Sequence, residues 1–302
     1  MIAEPSEVYY RKPDLYLEGM KRITSRFDLD MIFGPFALAL EAEAYGAELD
    51  LSNHQAPTVK KPAFANCKAP DQIQTVESSP SLKYLQDSVQ KLSVFFAERA
   101  PIIALITAPT DLPALLLGME NWLELLLFDE AEALSWMHFA EAHFIALAKV
   151  YFDAGAQFIG VPVMFANPAI LTKKLIKDLS YPSLQRSFSS VTGPLLFHHG
   201  ANPLEHHLEL FVNLPSVAAF ILDEKDDLNK ARAFLGPEAI LISGPSGPSL
   251  VHRKPELIRR SLKRIQDVWK ENPRTILATT DADISWDTGE EAIDLLFQIG
   301  SI

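Results

Sequence analysis

Short, continuous apolar runs alternate with stretches of helical periodicity along most of the chain. Residues 28–33, 101–107, 157–163, 194–199, 216–222, 239–243 and 274–279 each predict a strand, most of them apolar enough to be buried on both faces. Ala47 to Leu51 fits a short additional strand. Between these runs the apolar period lengthens. Pro80 to Arg99 carries Leu82, Leu85, Val89, Leu92 and Phe96 at helical spacing, and Pro255 to Lys270 carries Ile258, Leu262, Ile265 and Trp269. Further helices are predicted over 13–26, 36–45, 110–128, 129–153, 203–213, 226–235 and 290–299, with two more opening at Asn167-Pro168 and Tyr181-Pro182. Residues 53–79 read as a long loop.

Regular alternation of this kind predicts an α/β fold with a parallel sheet. Eight units in this length favour a closed (β/α)8 TIM barrel, a single domain over 1–302 with residues 1–27 as an N-terminal helical extension. An open doubly wound sheet is disfavoured, because no GxGxxG or GxxxxGK[ST] loop follows a strand.

Composition narrows the functional classes. The chain has 302 residues, 48% of them hydrophobic, which is ample for a large core. A formal net charge of −12 argues against nucleic-acid binding, which needs a basic surface. Cys67 is the only cysteine, so an internal disulfide and a multi-cysteine zinc site are both excluded. The first residues lack the basic start and apolar stretch of a signal peptide, and the longest apolar run, Leu112 to Phe128, is broken by Glu120, Asn121 and Glu124. A cytoplasmic protein with no membrane contact is expected.

In a barrel, side chains at the C-terminal ends of strands face the reactive mouth. That rule selects Asp30, Gly34, Thr107, Asp111, Met164, Asn167, His198, His199, Asp223, Glu224, Ser243, Ser246, Asp281 and Asp283. The set is acidic and histidine-bearing, with no arginine to grip a polyanion. The centre of it is Leu195-Leu-Phe-His-His-Gly200, an apolar strand running into two histidines. Imidazole with carboxylates from other strands suits a divalent metal, while a pair of packed, hydrogen-bonded strand histidines is the competing structural explanation. His206 and His207 fall on a helix surface. His138 and His143, five apart, do not share a helix face and read as packing residues, and Glu41 and Glu43 do not share one either. No GxSxG elbow and no cysteine–histidine pair is present.

The order of several segments resembles the uroporphyrinogen decarboxylase superfamily, in particular its cobalamin-dependent methyltransferase branch. They are Glu41-Ala-Glu-Ala-Tyr-Gly-Ala-Glu48, Ala108-Pro-Thr110 through Leu117-Gly-Met-Glu120, Ala154-Gly-Ala156, Asp223 to Leu228, Gly244-Pro245 and Lys254-Pro-Glu256. The resemblance runs from about Asp28 to the C-terminus and implies a distorted (β/α)8 barrel. It also implies a methyltransferase that moves a methyl group between a small methylated compound and a corrinoid (cobalamin) cofactor on a partner protein, with zinc at the site. The arginine-rich motif that porphyrinogen decarboxylases carry near the N-terminus is absent from Pro35 to Leu40, so decarboxylation is the weaker implication. A non-catalytic accessory protein on a decayed barrel is the third.

Within the resemblance, Leu196-Phe-His-His-Gly200 is similar to the branch's Leu-His-x-Cys-Gly zinc strand. Phe197 then stands where the histidine is expected and His199 where the cysteine is. The later cysteine falls near Ala282. The implied replacement set is His199, Asp223 and Asp281 as metal ligands, with His199, Asp281 and Asp283 as the catalytic groups. Asp30, Met164, Asn167, His198 and Ser246 are the expected substrate-binding residues. Oxygen and nitrogen donors would make a harder site than thiolates, suited to a methoxy or methylamine donor over a methylthiol.

Overall fold

The computed structural model describes residues 4–51, 55–65, 68–96, 98–281 and 283–298; Cys67 and Ala282, both singled out above, lie outside them. Nine strands are described: β1 (Ile32–Phe33), β2 (Glu48–Asp50), β3 (Thr58–Lys61), β4 (Ile102–Leu105), β5 (Phe158–Pro162), β6 (Leu195–His198), β7 (Val217–Ile221), β8 (Ile240–Ser243) and β9 (Thr275–Leu277). Seven of them form one parallel sheet in the order β1-β4-β5-β6-β7-β8-β9. The sheet curls into a distorted TIM-type barrel; each of its strands runs parallel to the next, and the connections carry α-helices except β6 to β7, which holds only a 3₁₀ turn.

The expected eighth barrel strand is not in this sheet. Residues 48–50 form β2, which pairs antiparallel with β3. The hairpin occupies part of the stretch read above as loop, and its pattern of mostly exposed residues matches a ribbon lying outside the core. Among the described residues β1 and β9 do not pair. The end of the helix Pro13–Arg26, which packs on the helix Pro80–Phe96, meets the C-terminal helix Glu290–Phe297. Phe27 stacks on Phe297 with centroids 4.0 Å apart, and Arg26 donates to Asp294 at 2.7 Å.

Strand side chains divide by their period of two. Ile103, Leu196, Ala219, Ile221 and Ile242 form a small core on the concave face. The residues between them, among them Ala104, Leu195, Phe197, Phe220 and Leu241, join the large core beneath the helices. That division assigns the two positions around which the sequence is organised. His198 follows Leu196 by two and shares its concave side, whereas Phe197 packs outward against Phe211 and Phe220, at 4.9 and 5.7 Å between centroids.

Several helices differ from expectation in extent. The stretch 110–128 is two helices, Leu112–Leu117 and Met119–Phe128, divided at Gly118 with φ +87°. No helix opens at Asn167. Thr172 caps one instead, which runs from Lys173 through a widened turn at Ile176–Ser180 into Tyr181–Ser189. Residues 205–210 form only a 3₁₀ turn. In Pro255–Glu271 the buried stripe is Ile258, Leu262, Ile265 and Val268, and Trp269 is half exposed. Among the described residues no helix is long and apolar enough to cross a membrane.

Candidate metal centre at the barrel mouth

His199 leaves the end of β6 fully buried, its backbone N–H bonded to the Ile221 carbonyl at 3.1 Å. Its Nδ1 lies 3.7 Å from Asp223 Oδ2, beyond β7, and its Nε2 lies 3.7 Å from Asp281 Oδ1, beyond β9. Both distances are too long for a hydrogen bond, and among the described residues neither ring nitrogen has a partner at hydrogen-bonding geometry. One donor atom from each of the three residues falls within 4.8 Å of the others. Burial holds the His199 imidazole below its ordinary pKa, with the carboxylates of Asp223, Asp281 and Asp226 and the Asn202 backbone pulling it up again. The ring is thus kept towards the neutral form that ligates metals. A buried imidazole with two orphaned nitrogens between two carboxylates is a donor set that fits a divalent cation.

The loop around His199 is fixed by close backbone approach. Gly200 has φ +61°, and a Cβ on it would lie 2.5 Å from the carbonyl carbon and oxygen of Val163. Only glycine fits there. His198 stacks on His199 at 4.4 Å and 14°, and its Nδ1 accepts the Gly200 N–H at 3.1 Å. Burial, and then the neighbouring His199, depress the His198 pKa well below the ordinary value. With Nδ1 accepting, a neutral ring carries its proton on Nε2.

Two further carboxylates, Asp226 and Asp111, tie the loops together. Asp226, 2% exposed, accepts from the backbone N–H of Leu204, Glu205 and Asp223, each at 2.9 Å. It thereby pins the loop after β6 to the loop after β7. Asp111 accepts from the N–H of Met164 at 2.6 Å and of Phe165 at 3.0 Å, and from the Thr110 hydroxyl. Burial still outweighs these bonds and raises Asp111 to about 6.

The structure brings His198, His199, Asp223 and Asp281 together and does not bring the other expected residues into contact with them. Asp283 is solvent-accessible, yet enough chain surrounds its carboxyl to raise it to about 6. Met164 and Ser246 are half-buried, each with its backbone N–H held by a carboxylate. Asn167 is buried and spends its side chain on the Pro203 carbonyl and the Ala169 N–H, as a loop brace. Asp30 precedes β1 and is exposed. Since Ile32 pairs with Ile102, the first residue of β4, Asp30 sits at the opposite rim from His199.

One buried cluster escaped the sequence reading. Glu41, fully buried, accepts from the Thr107 N–H and hydroxyl at 2.8 Å each and pairs with His143 Nε2 at 3.0 Å; Tyr45 reaches His143 Nδ1 at 2.9 Å. Glu43, two residues on, pairs instead with Arg11. The opposite exposures of Glu41 and Glu43 follow from their spacing. The partner of Glu41, 102 residues away, has no sequence signal.

A family model described as uroporphyrinogen decarboxylase (URO-D) matches residues 5–300. The chain is similar to the methylated-thiol–coenzyme M methyltransferase of Methanosarcina mazei, at 23% identity over 163 residues, covering 54% of this chain and 44% of that protein. The alignment therefore spans less than half of that relative's length. Among solved structures it is similar to a methyltransferase from Methanosarcina mazei, with a TM-score of 0.82 at 15% identity, over 97% of this chain and 86% of that one. A B12-independent methionine synthase from Shewanella sp. W3-18-1 gives a TM-score of 0.61 at 10% identity, over 96% and 85% of the two chains. At these identities the structural likeness establishes the fold.

Proposed function

This chain belongs to the uroporphyrinogen decarboxylase family, and from that premise we propose that it is a methyltransferase with a divalent-metal site built from His199, Asp223 and Asp281. It moves a methyl group between a small methylated compound and a corrinoid carried on a partner protein. The observation that carries this reading is the buried His199 ring, with two unpartnered nitrogens between two carboxylates. The name of the Methanosarcina mazei relative supports methyl transfer as the class of reaction. A cation held at this site supplies Lewis acidity toward the heteroatom that carries the methyl group.

The chain's own residues do the rest. His199 offers a neutral nitrogen, and Asp223 and Asp281 supply negative charge that balances a cation in a site of low dielectric. His198 presents a ring whose proton sits on Nε2, a hydrogen-bond donor on the concave side for the substrate's polar atom. Met164 and Ser246 shape the rim, and Asn167 braces the loops behind it. Asp283, two residues past Asp281 and close enough to Tyr9, Tyr10 and Tyr16 to act on their hydroxyls, is a carboxyl able to hold or release a proton near pH 6. Asp30, at the far rim, has no part in this site. The acidic donor set disfavours a porphyrinogen, whose carboxylates need a basic pocket.

The test is methyl transfer to cob(I)alamin from a panel of methoxyaromatics, methylamines and methylthiols, with and without an added corrinoid protein. Turnover with an oxygen or nitrogen donor is expected. No turnover with any donor, together with no bound metal in the purified protein, sinks the reading in favour of a non-catalytic barrel.

A further inference from the structure

Asp223 and Asp281 come from separate strands, and the structure shows one side chain that links their loops. Glu224, next to Asp223, turns away from His199. Its Oε2 accepts the Ser246 N–H at 3.0 Å, in the loop after β8. Ser246 in turn bridges Thr280 in parallel register, with the Gly247 N–H on the Thr280 carbonyl at 3.0 Å and the Thr280 N–H on the Pro245 carbonyl at 3.1 Å. The β8–β9 pairing therefore continues past both named strands, up to the residue before Asp281. Asp281 then turns off with φ +65°, a left-handed conformation that a non-glycine residue holds only when its neighbours are fixed. The other oxygen of Glu224 is held by the Arg253 guanidinium and by the Ser261 hydroxyl at 3.0 Å. Arg264 donates to the Glu224 carbonyl.

We infer that Glu224 is a positioning residue that sets the separation of Asp223 and Asp281 across His199, through Ser246 and Thr280. This rests on the metal reading above and adds to it the part that holds the two carboxylates in register. The chain of contacts is short, one carboxylate-to-backbone bond followed by backbone bonds, so a displacement at Ser246 passes directly to Thr280 and Asp281. Partners that orient ligands in this way govern metal affinity by roughly 10- to 100-fold.

The experiment titrates Co²⁺ into the metal-free full-length wild type, Glu224→Ala and Glu224→Gln, following visible absorption, with circular dichroism confirming that each is folded. Glu224→Ala, which removes both acceptors, is expected to weaken Co²⁺ binding 10- to 100-fold and change the band shape. Glu224→Gln keeps one acceptor oxygen and is expected to fall between it and the wild type. Wild-type affinity and spectrum in a folded Glu224→Ala overturn the inference; should that variant not fold, wild-type behaviour in Glu224→Gln does so instead. Failure of the wild type itself to bind Co²⁺ overturns the metal reading, and this inference with it.

Discussion

His199 Nε2 and Asp281 Oδ1 stand 3.7 Å apart, and among the described residues neither nitrogen of that imidazole has a partner at hydrogen-bonding geometry. Buried polar atoms are normally paired, and an unpaired one costs about 1–3 kcal/mol. Here the cost falls on a residue flanked by two carboxylates, which is the arrangement a cation relieves. Replacing His199 with alanine is therefore expected to abolish metal uptake. Elemental analysis after loading with Zn²⁺ checks it, and full occupancy in a folded His199→Ala would falsify the assigned ligand set.

Phe197 occupies the position where the resemblance led to a histidine ligand, and it faces away from the site. Phe197→His should gain no metal affinity. It should cost about 2–3 kcal/mol, because a polar ring would sit among Phe211 and Phe220 with nothing to bond. Denaturant unfolding reads the cost and Zn²⁺ titration reads the affinity. Tighter binding in the variant would mean that the β6 register assigned here is mistaken.

Gly200 lies against the Val163 carbonyl with a positive φ, and Val163 is itself held by its N–H to the His198 carbonyl at 3.0 Å. Neither backbone can yield cheaply. Gly200→Ala is expected to lose about 3 kcal/mol or more, seen as a lower melting temperature, and to weaken metal binding by moving His199. An unchanged melting temperature would contradict the close approach.

Asp111 carries the pH prediction. Its folded pKa, about 6, lies above its ordinary 3.8, so the native state favours the protonated form. Its burdening effect on stability is absent below about pH 4, grows as pH rises, and is complete above about pH 6. The size is at most about 3 kcal/mol. In Asp111→Asn this dependence disappears, although the loop loses an acceptor for Met164 or Phe165 at every pH. From pH 4 to 7 the wild-type curve should therefore fall relative to that of Asp111→Asn by up to about 3 kcal/mol. Parallel curves would show that Asp111 is not desolvated.

The parallel sheet was legible because buried strands such as 101–107 and 216–222 are continuous apolar runs between helical periods. The eighth strand was misassigned because Ala47 to Leu51 has strand character at any location, and composition cannot tell a barrel strand from an outlying ribbon. The site was partly legible. His199, Asp223 and Asp281 follow apolar runs, where barrel geometry concentrates chemistry. Asp30 follows the same kind of pattern but precedes the short pairing region of β1, and strand ends cannot be fixed to a residue or two from sequence. The braces at Asp226, Asp111 and Glu224 bind backbone N–H groups in other loops, contacts to which no residue spacing points.

The clasp between Phe27 and Phe297 carries a kinetic consequence. Among the described residues β1 pairs with β4 alone and β9 with β8 alone, so sheet growth runs in one direction and does not close on itself. The Arg26–Asp294 bond beside the clasp spans 268 residues of chain. Loop closure of that length comes late and parallel pairing is slow. Until the clasp forms, the outer edges of β1 and β9 stand uncovered, and edge-to-edge association between incomplete molecules competes with folding.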